Sequence, residues 1–176
     1  MTKATLKSLI RKACNGDRQA FDRLINEYYE MMYKAAFKWC GSAYDAEDIV
    51  HNAFLKMAEN LNSFRFKSSF ETWLYRLVIN AAKDYVKKRS RHQGRHQDID
   101  DKNIPSTSQT DQLLQAKDLL GQLHKLPEGE MEAIMLVCAH GHTHKEAANI
   151  LNCKESTVSW RIHEARKKLE HIYGES

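Results

Sequence analysis

Residues 70–91, FETWLYRLVINAAKDYVKKRSR, constrain the fold of this chain more than any other stretch. At helical period, Phe70, Trp73, Leu74, Leu77, Val78, Ala81 and Tyr85 share one face, and that face needs a core to cover it. A second line, Thr72, Arg76, Asn80, Lys83 and Lys87, follows the helical spacing along a different face. Ser68, with Glu71 three positions on, has the pattern of a capping box and predicts the helix start. One helix thus carries an apolar spine and a stripe of cations with an asparagine among them. Lysine and arginine in such a line suit phosphates, and an asparagine amide offers donor and acceptor to a base edge. The bland alternative is a solvated charged face, and the neighbouring segments decide between the two.

Upstream, residues 4–13 predict a short helix ending at Asn15-Gly16, a C-cap pair. Asp17 has the character of an N-cap for a long helix whose stripe is Phe21, Leu24, Ile25, Tyr28, Met32, Ala35 and Trp39, broken at Gly41 and Ser42. The next helix, about 44–61, turns Ala46, Ile49, Val50, Ala53, Phe54 and Met57 inward and Asp48, Asn52, Leu55 and Glu59 outward. An outward leucine framed by carboxylates matches a docking site for a partner helix. Between these helices and the residue 70 helix lies NSFRFKSSF, where Phe64 and Phe66 alternate with Arg65 and Lys67. Aromatics interleaved with cations suit unpaired bases and their phosphates, whereas the plainer reading has both rings capping the bundle.

After Arg91 the periodicity stops. Residues 92–111 are polar and predict a flexible linker between a domain at 1–91 and a second at 112–176. In the second domain, Leu113, Leu114, Leu119, Leu120 and Leu123 mark one amphipathic helix. Pro127 sits in the first turn of the next, which turns Ile134, Val137 and Cys138 inward and stops at Gly141. Thr143 and Glu146 form a capping box for a short helix with Ala147, Ala148 and Leu151 inward. A tight turn, Asn152-Cys153-Lys154, leads to the last helix, with Val158, Ile162, Ala165 and Leu169 along one side. Two short helices joined this way describe a helix-turn-helix. Ser156, Trp160, His163 and Lys167 lie opposite the apolar line, flanked by Ser159 and Glu164, and would enter a major groove; Arg161, Arg166 and Lys168 would reach phosphates. A plain three-helix bundle with a solvated face is the alternative.

Composition agrees with an all-α chain of two small helical domains. Two prolines and seven glycines leave little room for the many turns of a sheet-rich fold. The net charge of +4 permits nucleic acid without demanding it, but Lys83, Lys87, Lys88, Arg89, Arg91 and Arg95 are bunched, directly before Asp98, Asp100 and Asp101. The amino end, MTKATLKSLIRKA, has too short an apolar run for a signal peptide, and no window approaches a membrane span. With four separated cysteines, Cys14, Cys40, Cys138 and Cys153, this predicts a reducing cytoplasm and free thiols. No phosphate-binding glycine loop, H-E-x-x-H or nucleophile elbow supports an enzyme. Cys138, His140, His142 and His144, with Cys153, form the one rival cluster, a zinc or redox site whose spacing fits no structural zinc pattern; no metal or other cofactor is expected.

Three blocks in order, DAEDIVHNAFLKM from Asp45, FETWLYRLVINAAKDYVKKR from Phe70, and LPEGEMEAIML with GHTHKEAANILNCKESTVSWRIHEARKKL from Leu126, resemble the small extracytoplasmic-function sigma factors of bacterial RNA polymerase. The resemblance covers nearly the whole chain except the linker. It implies sigma regions two and four, a non-catalytic specificity subunit for stress-responsive initiation, and an anti-sigma protein as partner. Core polymerase would be met through its clamp helices by Asp45, Glu47, Asp48, Asn52 and Leu55, with its flap as a further contact. Phe64, Arg65, Phe66, Lys67, Arg76, Asn80, Lys83 and Lys87 would recognise and melt the minus-ten element. Ser156, Ser159, Trp160, Arg161, His163, Glu164, Arg166 and Lys167 would read the minus-35 duplex. Two departures are His51, where the family often has glutamine, and a recognition helix with Ser159, Trp160 and Glu164 in place of arginines.

Overall fold

The computed structural model describes residues 2–93 and 108–174. The described residues are all-α, as the periodicity implies: α1 (Lys3–Cys14), α2 (Arg18–Cys40), α3 (Ala43–Asn60), α4 (Phe70–Gln93), α5 (Ser108–Leu123), α6 (Glu128–Ile134), α7 (His144–Leu151) and α8 (Glu155–Gly174). Residues 94–107, most of the predicted linker, lie outside the described residues, as do the side chains of Leu113 and Leu114; α4 extends to Gln93 and α5 begins at Ser108.

In the amino-terminal half, α2, α3 and α4 pack on one another and α1 lies on α2. The side chains at their centre, Leu24, Met32, Trp39, Ile49, Met57, Leu74 and Val78, are almost wholly excluded from water. The caps are local. Asp17 accepts the amide of Ala20 at 3.0 Å, and Gly41 closes α2 in the left-handed conformation at φ 68°. Ser42 then caps α3 through the amide of Asp45.

One predicted cap moves. The cap of α4 is Ser69, whose Oγ accepts the amide of Thr72 at 3.1 Å. With Phe70 as the first helical residue, Glu71 is one position short of the site a capping box needs. Its carboxylate instead accepts the Tyr28 hydroxyl at 3.2 Å and ties α4 to α2. Burial and this carboxylate push the Tyr28 phenol far above its ordinary range.

In the carboxyl-terminal half, α6 packs on α8 and α7 on α8. The Thr143–Glu146 capping box forms as predicted, with both reciprocal bonds present. Asn152 makes the turn at φ 52°. The continuation of α6 differs from expectation. Residues Met135–Ala139 wind as a π-turn, which is wider than an α-helical turn and rotates the residues after it about the axis. Met135 and Leu136 are therefore buried, while Cys138, predicted inward, is exposed.

The two halves also pack on each other. Besides its spine against α2 and α3, α4 buries Ile79 and Ala82 and meets α7 along that side. Lys38 donates to the carbonyl of Ala139, and the His124 ring lies 3.0 Å from the carbonyl of Trp39. Buried side chains of both halves join one continuous apolar cluster.

Candidate nucleic-acid interface

The loop before α4 divides the two phenylalanines. Phe64 is buried, with its ring 5.2 Å from Phe70 and 5.4 Å from Trp73, so for this ring the plainer core reading holds. Phe66 sits on top of it at 4.8 Å and is 43% exposed. Its φ of 56° is unusual for an aromatic residue and costs roughly 1–2 kcal/mol, so the surrounding loop holds this ring at the surface against a local preference. The Lys7 ammonium lies 5.6 Å from the Phe66 ring centre, and Arg65 and Lys67 are exposed beside it.

Along α4, Arg76, Asn80, Lys83 and Lys87 do form a line, and the line faces the carboxyl-terminal half. Arg76 donates through Nε to the carbonyl of Ile150 at 2.9 Å and through Nη2 to that of Asn149. Lys83 lies between two carboxylates, 2.6 Å from Glu128 and 2.7 Å from Glu132. Lys87 reaches Glu128 at 3.4 Å. Burial pulls the Lys83 ammonium down, but the bonds to Glu128 and Glu132 outweigh it, and its pKa is raised overall. Asn80 is exposed at the mouth of a cleft of about 360 Å³ between Arg76, Lys83, Glu132 and Asn152.

On α3, Glu47, Asp48, Asn52 and Leu55 are exposed, with Leu55 half accessible. Asp45, at the edge of that face, is buried. It is 6% exposed and accepts hydrogen bonds from the Tyr85 hydroxyl and the Arg89 guanidinium, both on α4. Its carboxylate joins α3 to α4. Burial and the Asp45 carboxylate push the Tyr85 phenol up to about 12.

On α8, Ser156, Ser159, Trp160, His163, Arg166 and Lys167 are exposed, Trp160 by 58%. Ser159 bonds the His144 ring at 2.8 Å, linking α8 to the start of α7, and Glu164 is half-buried. Two of the predicted phosphate contacts are occupied internally. The Arg161 guanidinium lies against Gly129, within 2.8 Å of where a Cβ would stand, and Lys168 pairs with Glu130 at 2.6 Å. Lys167 is exposed, and Arg166, also exposed, has its Nη2 3.9 Å from Cys138 Sγ.

The Cys138–His144 cluster is split among separate contacts. His140 and His142 pack edge-on against Tyr75 of α4, at 5.9 and 4.7 Å, while His144 is bonded to Ser159 and Cys138 lies near Arg166. Among the described residues no three such groups converge on a cation site. The residues that join the halves, not singled out from the sequence, are Tyr75 and Ile79 on α4, and Glu128 and Glu132 on α6. A second apolar line at 75, 79, 82 and 86 carried that signal.

Two family models match the chain in succession. Residues 24–92 match Sigma-70 region 2, and residues 116–169 match Sigma-70 region 4. The sigma-E factor of Escherichia coli (strain K12), an ECF RNA polymerase sigma factor, is 31% identical over 93% of this chain and 91% of its own length. That of Haemophilus influenzae is 29% identical over 95% and 94%. Among solved structures, CnrH in complex with the cytosolic domain of CnrY superposes with a TM-score of 0.66 at 25% identity, covering 96% of both chains. The sigma factor RpoE bound to the anti-sigma factor NepR from Bartonella quintana superposes at 0.59 and 23%, covering 88% of this chain and 96% of RpoE. With both regions in order and the relationship extending along nearly the whole length, this chain belongs to the extracytoplasmic-function sigma factors of the sigma-70 family, which direct promoter-specific transcription initiation.

Proposed function

We propose that this sigma factor acts in the cytoplasm, has no catalytic activity of its own, and docks on core RNA polymerase through Glu47, Asp48, Asn52 and Leu55 on α3. Its α4 face, with Arg76, Asn80, Lys83 and Lys87, reads and helps open the minus-ten element, and Phe66 stacks on an unpaired base beside Arg65 and Lys67. The α7–α8 pair reads the minus-35 duplex, with Ser156, Ser159, Trp160 and His163 toward the bases and Arg166 and Lys167 toward phosphates. Arg161 and Glu164 contribute by holding α8 in place, Phe64 by supporting Phe66, and Asp45 by fixing α3 on α4. Because RpoE and CnrH were solved as complexes, RpoE with an anti-sigma factor, we extend control by an anti-sigma protein to this chain.

The observation that carries the reading is the alignment of cations and Asn80 on one face of α4, in the half that matches region 2. A ligand-sensing or dimerising domain on a conventional duplex-binding regulator has no use for such a face. The test is transcription by bacterial core polymerase on a supercoiled genomic library, with start sites mapped in the presence and absence of the protein. Start sites that depend on it and share a two-part upstream motif are expected. Asn80→Ala should lower promoter opening, read by permanganate reactivity, at least tenfold while core binding stays within about twofold. Equal loss of both would count against the assignment of α4.

A further inference from the structure

The face of α4 assigned to the melted strand is not free in this structure. Arg76 is held by two carbonyls from the last turn of α7, where helix carbonyls lack intrahelical partners and carry the negative end of the dipole. Lys83 is clamped by Glu128 and Glu132, and Glu128 also reaches Lys87. Each of these partners is an anionic or electron-rich oxygen, the same chemistry a DNA phosphate offers. Apolar and aromatic contacts hold the arrangement: Ile79 is buried, and Tyr75 is gripped by His140 and His142. The recognition face of α8 is not covered, since Trp160, His163 and Lys167 remain exposed.

We propose that the carboxyl-terminal half is an internal inhibitor of the minus-ten reader: in the free chain Glu128, Glu132 and the carboxyl end of α7 occupy the strand-phosphate positions on α4, and the halves must part before the melted strand can bind. This rests on the assignment of α4 to the minus-ten element. It differs from control by a separate anti-sigma protein because the covering groups belong to the chain itself. The closure is also one-sided, leaving the duplex reader available while the phosphate-binding cations of the strand reader, Arg76, Lys83 and Lys87, are engaged.

The test compares the full chain with Glu128→Gln/Glu132→Gln, which removes both carboxylates at Lys83 and keeps their shape. A charge-matched control, Glu155→Gln/Glu170→Gln, alters exposed residues of α8 away from the contact. Small-angle X-ray scattering reports the separation of the halves. Fluorescence anisotropy with a labelled single-stranded oligothymidylate reports access to α4. The first variant should expand relative to wild type and bind the strand about tenfold more tightly than the control, because covering a site lowers its apparent affinity by the open fraction. Tyr75→Ala attacks the same closure without changing charge and should produce both effects, with unchanged helical circular dichroism showing that each variant is folded. If both variants keep the wild-type radius and the control's affinity, the proposal is wrong. Expansion without tighter strand binding overturns it too, because the covered face would then not be a strand-binding face. Failure of the sigma assignment itself is seen separately, as absence of protein-dependent start sites in the transcription assay.

Discussion

Replacing Asp45 separates a structural role from a docking role that its neighbours in sequence share. Its carboxylate is buried between α3 and α4 and accepts from Tyr85 and Arg89. A hydrogen bond to a charged acceptor contributes about 1.5–3 kcal/mol. The Arg89 side chain is 52% exposed, so the ion pair adds only about 0.2–1 kcal/mol after solvent screening. Asp45→Ala should therefore lower the stability of the amino-terminal bundle by about 2–3 kcal/mol. Tyr85→Phe should cost about 1.5–3 kcal/mol, and the double variant should cost less than the sum, because both lose the same bond. Asp48→Ala, on the exposed side of the same helix, should stay within about 0.5 kcal/mol of wild type while weakening capture of core polymerase. Urea unfolding followed by far-ultraviolet circular dichroism supplies the stabilities, and equilibrium binding to core supplies the comparison. An Asp45→Ala variant within about 0.5 kcal/mol of wild type that nonetheless loses core binding would refute the structural assignment.

The contact between the halves carries two further expectations. Burial, then Lys38 and His142, push the His140 pKa down from 6.5 to about 4; burial and Lys38 also lower His142, with Glu146 opposing. An exposed imidazole takes up a proton between these limits that the packed ring refuses, so the packing contribution is complete above about 6.5 and is lost as pH falls toward about 4. The stability read from urea unfolding should fall on the order of 2 kcal/mol further over this range in wild type than in His140→Phe, and parallel pH profiles would contradict it. Gly41→Ala should destabilise by about 1–2 kcal/mol in the same assay, because φ is 68° and the new Cβ would stand 2.7 Å from Leu120 Cδ1 of α5; an unchanged midpoint would mean that α5 does not pack there.

What the sequence made legible was what repeats locally. The spine of α4, the stripe of α2, the Asp17 cap and the Thr143–Glu146 box depend on residues within a few positions of each other, and each stands as read. The burial of Asp45 was not legible, because an acidic residue in the first turn of a helix has an ordinary surface explanation, and its partners lie 40 and 44 positions away. Phe64 and Phe66 have the same chemistry and alternate in one loop, so only the backbone, which turns left-handed at Phe66, assigns one ring to the core and one to the surface. The inward prediction for Cys138 failed for a geometric reason, since a π-turn changes the helical phase and nothing in MLVCA announces it. The line 75, 79, 82 and 86 was legible but lay beside a stronger spine.

That second line explains why reading and closing compete on one helix. At 100° per residue, positions 75, 79, 82 and 86 lie roughly 90° around α4 from the cation stripe, and the spine lies on the other side. Any element that buries Ile79 and Ala82 brings its rim over Arg76, Lys83 and Lys87, and a rim that supplies carboxylates and helix-end carbonyls meets the cations where phosphates would otherwise go. Parting the halves would return that apolar line to water at about 25 cal/mol per Å² and break the pairing of Lys83 with Glu132, which resolvation of that carboxylate, now 9% exposed, only offsets. With both the ion pairs and the apolar line intact, opening is therefore favourable only when something else satisfies both faces. The cations can be satisfied by a strand, but Ile79 and Tyr75 need an apolar or protein surface, which DNA phosphates do not provide. It follows that single-stranded DNA alone should open the chain less completely than core polymerase and DNA together, because the strand leaves the apolar line without a partner.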